Sequence, residues 1–235
     1  MIVYGRNAVR EALRGPREVS AVWATERAAR EPWLKEAGAQ VVDAAEVEAR
    51  CGSEAHQGVC AEAGPYVYAE PAALLERPEP LVVALDEVTD PQNLGAVCRS
   101  AEAAGATGVA VPRHRSAEVT PAVCKASAGA VEHLAVARVR NLADWLGHAK
   151  EAGAWVYGAD AEAGVPYDQP DYLGRVVLVL GSEGKGLRPR VAAACDGLVA
   201  LPVRGRVGSL NVSTAAAALL YGILHFRDAT LDRAP

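Results

Sequence analysis

The chain is poor in the features that mark several protein classes. Its five cysteines, Cys51, Cys60, Cys98, Cys124 and Cys195, are odd in number, and no two form a CxxC pair or a metal clip. That excludes a disulfide scaffold and predicts reduced, mostly buried thiols in a cytoplasm. His56, His114, His133, His148 and His225 are equally scattered, with no HExxH or HxH, so no metal site is expected. The longest apolar run, residues 215–224, has ten residues and contains Gly222. A membrane span needs about 20, so none is expected, and no basic segment followed by an apolar one is visible at MIVYGR, so a secretory signal is not expected either. Aromatic residues make up only 5% of the chain, with one Phe and one Met. Lysine is scarce too, four against twenty arginines.

What is present is a globular composition: 235 residues, 51% hydrophobic, about a fifth alanine. A chain of that length forms one or two domains and buries a sizeable core, and disorder is excluded. The net charge of −5 argues against nucleic acid only as an average. Residues 185–206 hold Lys185, Arg188, Arg190, Arg204 and Arg206 against Asp196 alone, a local +4. A solvated face would look the same, but such a patch also suits several phosphates, so an RNA partner stays open.

Residues 1–64 read as a small α/β unit. Arg6, Arg10 and Arg14 recur every four residues, with Ala8, Val9, Ala12 and Leu13 on the other side of a helix that Gly15-Pro16 ends. The arginine stripe is either an RNA-facing surface or plain solvation. A strand over 19–25, a helix to about Ala37, a strand over 40–43, a helix over 44–50 and a strand over 58–63 follow. Four prolines between Gly64 and Pro80 suit a semi-rigid linker, 65–80, with at most one helical turn. From Leu81 to Pro235, short apolar runs (81–85, 109–111, 134–139, 155–158, 176–180, 198–201) alternate with helical stretches. Fully apolar strands alternating with helices predict a parallel sheet covered on both faces. Ligands of such sheets bind beyond the carboxyl ends of the strands.

Three loops there carry chemistry. In DPQNLGAVCRS, Asn93 stands where a helix N-cap belongs, and Arg99 is the only charge between Asp90 and Glu102. Turn chemistry, and an Arg99 paired with Glu102 or Glu87, would explain the same residues. LVLGSEGKGL puts Glu183 among three glycines at a strand end, without the spacing of a P-loop or dinucleotide fingerprint. In LPVRGRVGSLNVST, Ser209 or Asn211 either caps the helix that follows or holds a polar ligand.

Together these three motifs, with SAGAVEH at 127–133, resemble the SpoU/TrmH branch of the SPOUT RNA methyltransferases over about 80–235. YGRNAVREAL and HQGVCAE resemble that family's N-terminal substrate-binding domain, which is similar to a ribosomal-protein RNA-binding fold. The resemblance implies S-adenosylmethionine-dependent methylation of an RNA ribose 2′-hydroxyl, a homodimer and a C-terminal trefoil knot. The layout is most like members that act on a guanosine of 23S ribosomal RNA. Transfer RNA and antibiotic-resistance methylation of ribosomal RNA are the alternatives within the class. A non-catalytic RNA-binding factor is the alternative outside it; a Rossmann-type small-molecule methyltransferase lacks support, having no glycine-rich loop after its first strand. The resemblance assigns Asn93, Arg99, Glu183, Ser209 and Asn211 to the active site, and Gly181, Leu201 and Leu210 to cofactor binding. The family's proposed role for Arg99 is the base, which sits awkwardly with a guanidinium that does not lose its proton in proteins. Gly222 departs from the family, which often carries an acid there.

Overall fold

The computed structural model describes residues 1–231, so the last four residues of the expected 81–235 unit lie outside the described residues. The chain builds two sheets. The first is four-stranded in the order β1-β4-β2-β3, from β1 (Ile2–Tyr4), β2 (Val19–Ala24), β3 (Gln40–Val41) and β4 (Val59–Ala63). Helix α1 (Arg6–Arg14) buries Ala8, Val9 and Ala12, and Gly15 ends it, its N–H donating to the Glu11 carbonyl. Leu13, expected on the buried side, is an exposed residue. The helix expected after β2 is broken into a turn at Ala28–Arg30 and a short α2 (Pro32–Glu36). Pro32 has no N–H and holds Glu31 extended, so it can only start a new helix. Helix α3 (Ala44–Cys51) is capped by Asp43, whose side chain accepts from the Glu46 N–H. Strand β1, not anticipated, pairs with β4 through Ile2, Val3 and Tyr4.

The second sheet has seven strands in the order β7-β6-β5-β10-β8-β11-β9, every neighbouring pair parallel. Its strands are β5 (Leu81–Asp86), β6 (Gly108–Pro112), β7 (Ala135–Val139), β8 (Trp155–Ala159), β9 (Val165–Pro166), β10 (Val176–Gly181) and β11 (Gly197–Ala200). The side-chain period of two splits the apolar runs between two cores. Leu81, Val83 and Leu85 face α4 (Pro91–Ala103), α5 (Pro121–Ala126) and α8 (Val212–Leu231). Val82 and Ala84 face α6 (Leu142–Glu151) and α7 (Pro189–Ala194). Gly95 lets α4 approach α5, because a Cβ there would strike the Ala126 methyl. No described helix is long and apolar enough to cross a membrane.

The 65–80 stretch connects the two sheets but is not free. The Tyr66 hydroxyl donates to the Val131 carbonyl at 3.1 Å, and the Tyr68 hydroxyl accepts from the Val119 N–H at 2.9 Å. Ala69 forms a parallel bridge with Ala137, and Leu74 and Leu75 are buried in the second core. A buried ion pair adds to the junction: Arg17 meets Glu132 with both Nε and Nη2, the two side chains being 4% and 1% exposed.

Candidate active site

The strand ends of β8, β10 and β11 open onto a cleft of about 820 Å³, within the size range of small-ligand sites. Leu180, Val199, Leu201 and Leu219 give it apolar walls, while Asp160, Glu162, Ser182 and Glu183 supply polar groups. The loop after β10 is a tight turn closed by Gly186 N–H donating to the Ser182 carbonyl at 2.9 Å. Gly184 and Gly186 have φ of 75° and 63°, where glycine carries no steric penalty. At Gly181 a Cβ would collide with the Gly186 carbonyl, so the turn folds back only over a residue without a side chain. All three residues assigned to cofactor binding, Gly181, Leu201 and Leu210, line this cleft, as do Ser209 and Asn211.

Three of the five residues assigned to catalysis meet. Asn93 Nδ2 donates to Glu183 Oε1 at 3.0 Å, and Asn211 Nδ2 donates to Asn93 Oδ1 at 3.0 Å and to the same Glu183 oxygen. Asn211 Oδ1 faces the other way, accepting from Ser213 N–H at 2.8 Å and Ser213 Oγ at 2.6 Å. That contact fixes the Asn211 amide, because its oxygen must face the helix donors and its nitrogen the carboxylate. Asn211 is therefore both the cap of α8 and a bridge in the site, so the two readings of it are one. Asn93 does not cap α4, contrary to expectation. Asp90 does, accepting from the Gln92 N–H at 2.9 Å, with Pro91 at the first helical position. That frees the buried Asn93 amide for Glu183.

Ser209 stands on the cleft wall with no hydrogen bond to the triangle among the described residues. Arg99 is exposed on α4, six residues past Asn93, which puts it about 120° around the helix and ~9 Å along it. It makes neither of the ion pairs considered for it: Glu87 instead contacts Arg115 and Arg188. At Gly222 the missing side chain leaves room for the Tyr167 ring against α8.

The basic segment is smaller than its sequence count. Arg188 is committed to Asp86, a fully buried acid at the end of β5, through its backbone N–H, Nε and Nη2 at 2.7–2.8 Å. The hydrogen bond to Asp86 raises the Arg188 pKa, burial opposing it. Arg190 pairs with Asp144 at 2.6 Å, and Asp196 with Lys150 at 2.7 Å. Among the described residues, Lys185, Arg204 and Arg206 are the cations of that segment in no ion pair. The N-terminal stripe is likewise partnered: Arg6 meets Glu31, and Arg10 and Arg14 meet Glu11. Sequence reasoning missed Asp86, Asp160 and Glu162. The signal was available, since each is an acid at or just past the end of an apolar strand run.

An all-parallel sheet with a strand-end cleft, and a carboxylate held by two amides on its rim, defines an α/β protein built to bind a polar ligand. The chain belongs to the SpoU rRNA methylase family, which it matches over residues 80–221. Residues 2–69 match the RNA 2′-O ribose methyltransferase substrate-binding family. Among its relatives are YacO of Bacillus subtilis, a TrmH-family tRNA/rRNA methyltransferase (39% identical, 96% of each chain). Another is the 23S rRNA (guanosine-2′-O-)-methyltransferase RlmB of Pseudomonas putida (41% identical, 93% of this chain and 94% of that one). The crystal structure of the SpoU methyltransferase AviRb from Streptomyces viridochromogenes, in complex with AdoMet, superposes with a TM-score of 0.82. It is 25% identical and covers 97% of this chain and 91% of its own.

Proposed function

We propose that this chain transfers a methyl group from S-adenosylmethionine to the 2′-hydroxyl of a guanosine ribose in 23S ribosomal RNA. The observation that carries the reading is the Asn93–Glu183–Asn211 triangle on the rim of the strand-end cleft. Near-full-length likeness to the P. putida 23S enzyme supports the target, and AdoMet-bound AviRb supports the donor. The residues present fit that donor. Leu180, Leu201 and Leu219 offer apolar surface to a purine, Gly181 leaves a close backbone approach, and Asp160, Glu162 and Glu183 suit a cationic ligand. When bound, S-adenosylmethionine supplies an already activated methyl group. The chain's own task is alignment and charge stabilisation, and alignment contributes roughly 7–11 kcal/mol in favourable systems. Asn93 and Asn211 hold Glu183 through Oε1, which fixes the carboxylate at the edge of the cleft. In this reading Arg99, in no ion pair among the described residues, orients a neighbouring RNA phosphate that takes the hydroxyl proton, and its charge stabilises the developing alkoxide.

The same reading includes the finer features of the family. The chain leaves β10 at the centre of the sheet, reaches β11 beyond β8, and returns in α8 to pack on α4; that return supports a trefoil knot. Exposed Val207, Leu210 and Tyr221 near and on α8 support a homodimer, testable by light scattering. Five free thiols suit the cytoplasm. The experiment is methylation with labelled donor on a 23S transcript and on a transfer-RNA pool, with the modified nucleoside identified by mass spectrometry. Label as 2′-O-methylguanosine in the transcript is expected; label confined to transfer RNA would overturn the target. Arg99→Ala is expected to abolish transfer while calorimetry shows unchanged donor binding. Normal turnover in that variant would remove Arg99 from the mechanism.

A further inference from the structure

The cleft occupies one half of the strand-end edge, beside β10, β8 and β11. The triangle sits where β5 and β10 meet, and the edge continues over β6 and β7 on the other side. That second half is basic. The segments 113–118 and 138–140, which follow or end β6 and β7, hold four arginines against one acid, Glu118. Arg138 meets Glu118 at 2.8 Å and donates to the Arg113 carbonyl at 2.9 Å, bracing the β6 loop against β7. Arg113 and Arg140 are exposed and in no ion pair or side-chain hydrogen bond among the described residues. Arg115 is 79% exposed and held with φ of 58°, in the left-handed region that a long side chain rarely adopts. Its single charged contact is a long one, 3.4 Å to Glu87, which shares the same oxygen with Arg188 at 3.5 Å. Glu87 is itself left-handed, φ 57°, at the start of the loop that leads to Asn93. Two strained non-glycine residues facing each other beside a catalytic loop point to a function held in place by the fold.

We propose that the β6-end loop, through Arg113 and Arg115, grips backbone phosphates of the RNA flanking the target nucleotide. The strand crosses from the cleft over β5 towards β7, and a phosphate replaces Glu87 as the partner of Arg115. The inference rests on RNA being the substrate. The test is equilibrium binding of a 23S ribosomal RNA transcript between 50 and 200 mM salt, with Arg113→Ala/Arg115→Ala, Arg115→Lys and the unaltered chain. The double variant is expected to bind about tenfold more weakly, with its salt slope reduced by roughly 0.7–0.9 per lost contact. Its S-adenosylmethionine affinity and thermal midpoint stay unchanged, because both side chains are exposed. Arg115→Lys recovers most of the binding, since a phosphate contact needs charge more than fork geometry. An unaltered chain that binds and methylates the transcript while the double variant keeps its affinity and salt slope overturns the proposal alone. An unaltered chain that methylates no RNA overturns the reading beneath it as well.

Discussion

The Arg17–Glu132 pair is the sharpest test of how the two sheets are joined. Arg17 donates to both Glu132 oxygens and to the Gly64 carbonyl at 3.0 Å, and its guanidinium lies 5.7 Å from the Tyr66 ring. Burial disfavours its charge, yet the hydrogen bond and the field of Glu132 hold its pKa above the ordinary arginine value. Glu132→Gln keeps the shape and removes the counter-charge, so a guanidinium 4% exposed is left in a site built for an ion pair. Breaking a buried pair on one side costs about 3–5 kcal/mol. For a chain of this size each kcal/mol moves the midpoint by about 2–4 °C, so a fall of about 10 °C is expected. Replacing both partners by apolar groups, Arg17→Met/Glu132→Leu, removes the stranded charge and returns most of the loss. One cost remains, the Gly64 carbonyl without its donor, at about 1 kcal/mol. Thermal and urea unfolding followed by circular dichroism measures all three variants. A Glu132→Gln midpoint within 2 °C of the unaltered chain, or a double variant as unstable as the single, would refute the reasoning.

Asn211→Ser keeps an N-cap of similar strength but removes the donor to Asn93 and Glu183. Unfolding free energy is expected within about 1 kcal/mol of the unaltered chain, with methyl transfer strongly reduced; equal losses in both would reduce Asn211 to a cap. Gly95→Ala gains helix propensity worth about 1 kcal/mol but drives a methyl into Ala126, and overpacking costs about 1–3 kcal/mol. Urea titration should show net destabilisation, and a more stable variant would mean that α5 yields freely. Burial pushes Cys60, Cys124 and Cys195 up to about 11 and Cys98 to about 12 from the ordinary 9.0. The folded chain therefore holds these protons longer than the unfolded one, so their stabilisation is complete below pH 9 and is lost as pH rises towards 12. Unfolding free energies at pH 8 and pH 10.5 should show that fall, and a flat profile would contradict the burial of these thiols.

The parallel sheet was legible because its strands are buried on both faces, so each reads as an unbroken apolar run such as Leu81–Leu85 or Val176–Leu180. Strand β1 was not legible, since three residues before a helix carry no period. The break at Pro32 is legible in the sequence, because a proline tolerates only the first turn of a helix and holds the residue before it extended. In the site, the strand-end position marked Glu183, whereas Asn93 and Asn211 read equally well as helix caps and owe their place in the site to the family resemblance. Their partnership was not readable, because it joins loops 90 and 28 residues apart through a sheet order that no local pattern encodes. Charge was the least legible property. Arg188 and Arg190 counted as free cations in the sequence, but folding brings Asp86 and Asp144 to them. Arg113 and Arg115, unremarkable in sequence, emerge on the same edge as the cleft.

Asn93 shows why local capping rules and the site are coupled. An Asn at the N-cap of α4 would spend its oxygen on the first turn and could not offer it to Asn211. Asp90-Pro91 takes over that duty three residues earlier: the carboxylate accepts the first orphan N–H, and the proline removes another that would need a partner. Asn93 then falls on the inner face of α4, buried, with both amide atoms available across the helix to loops 181–187 and 201–211. Asn211 solves the same problem differently, its oxygen capping α8 while its nitrogen stays in the site. The carboxylate is thereby held from two helix starts at once, so displacing either helix N-terminus misaligns Glu183 without touching it.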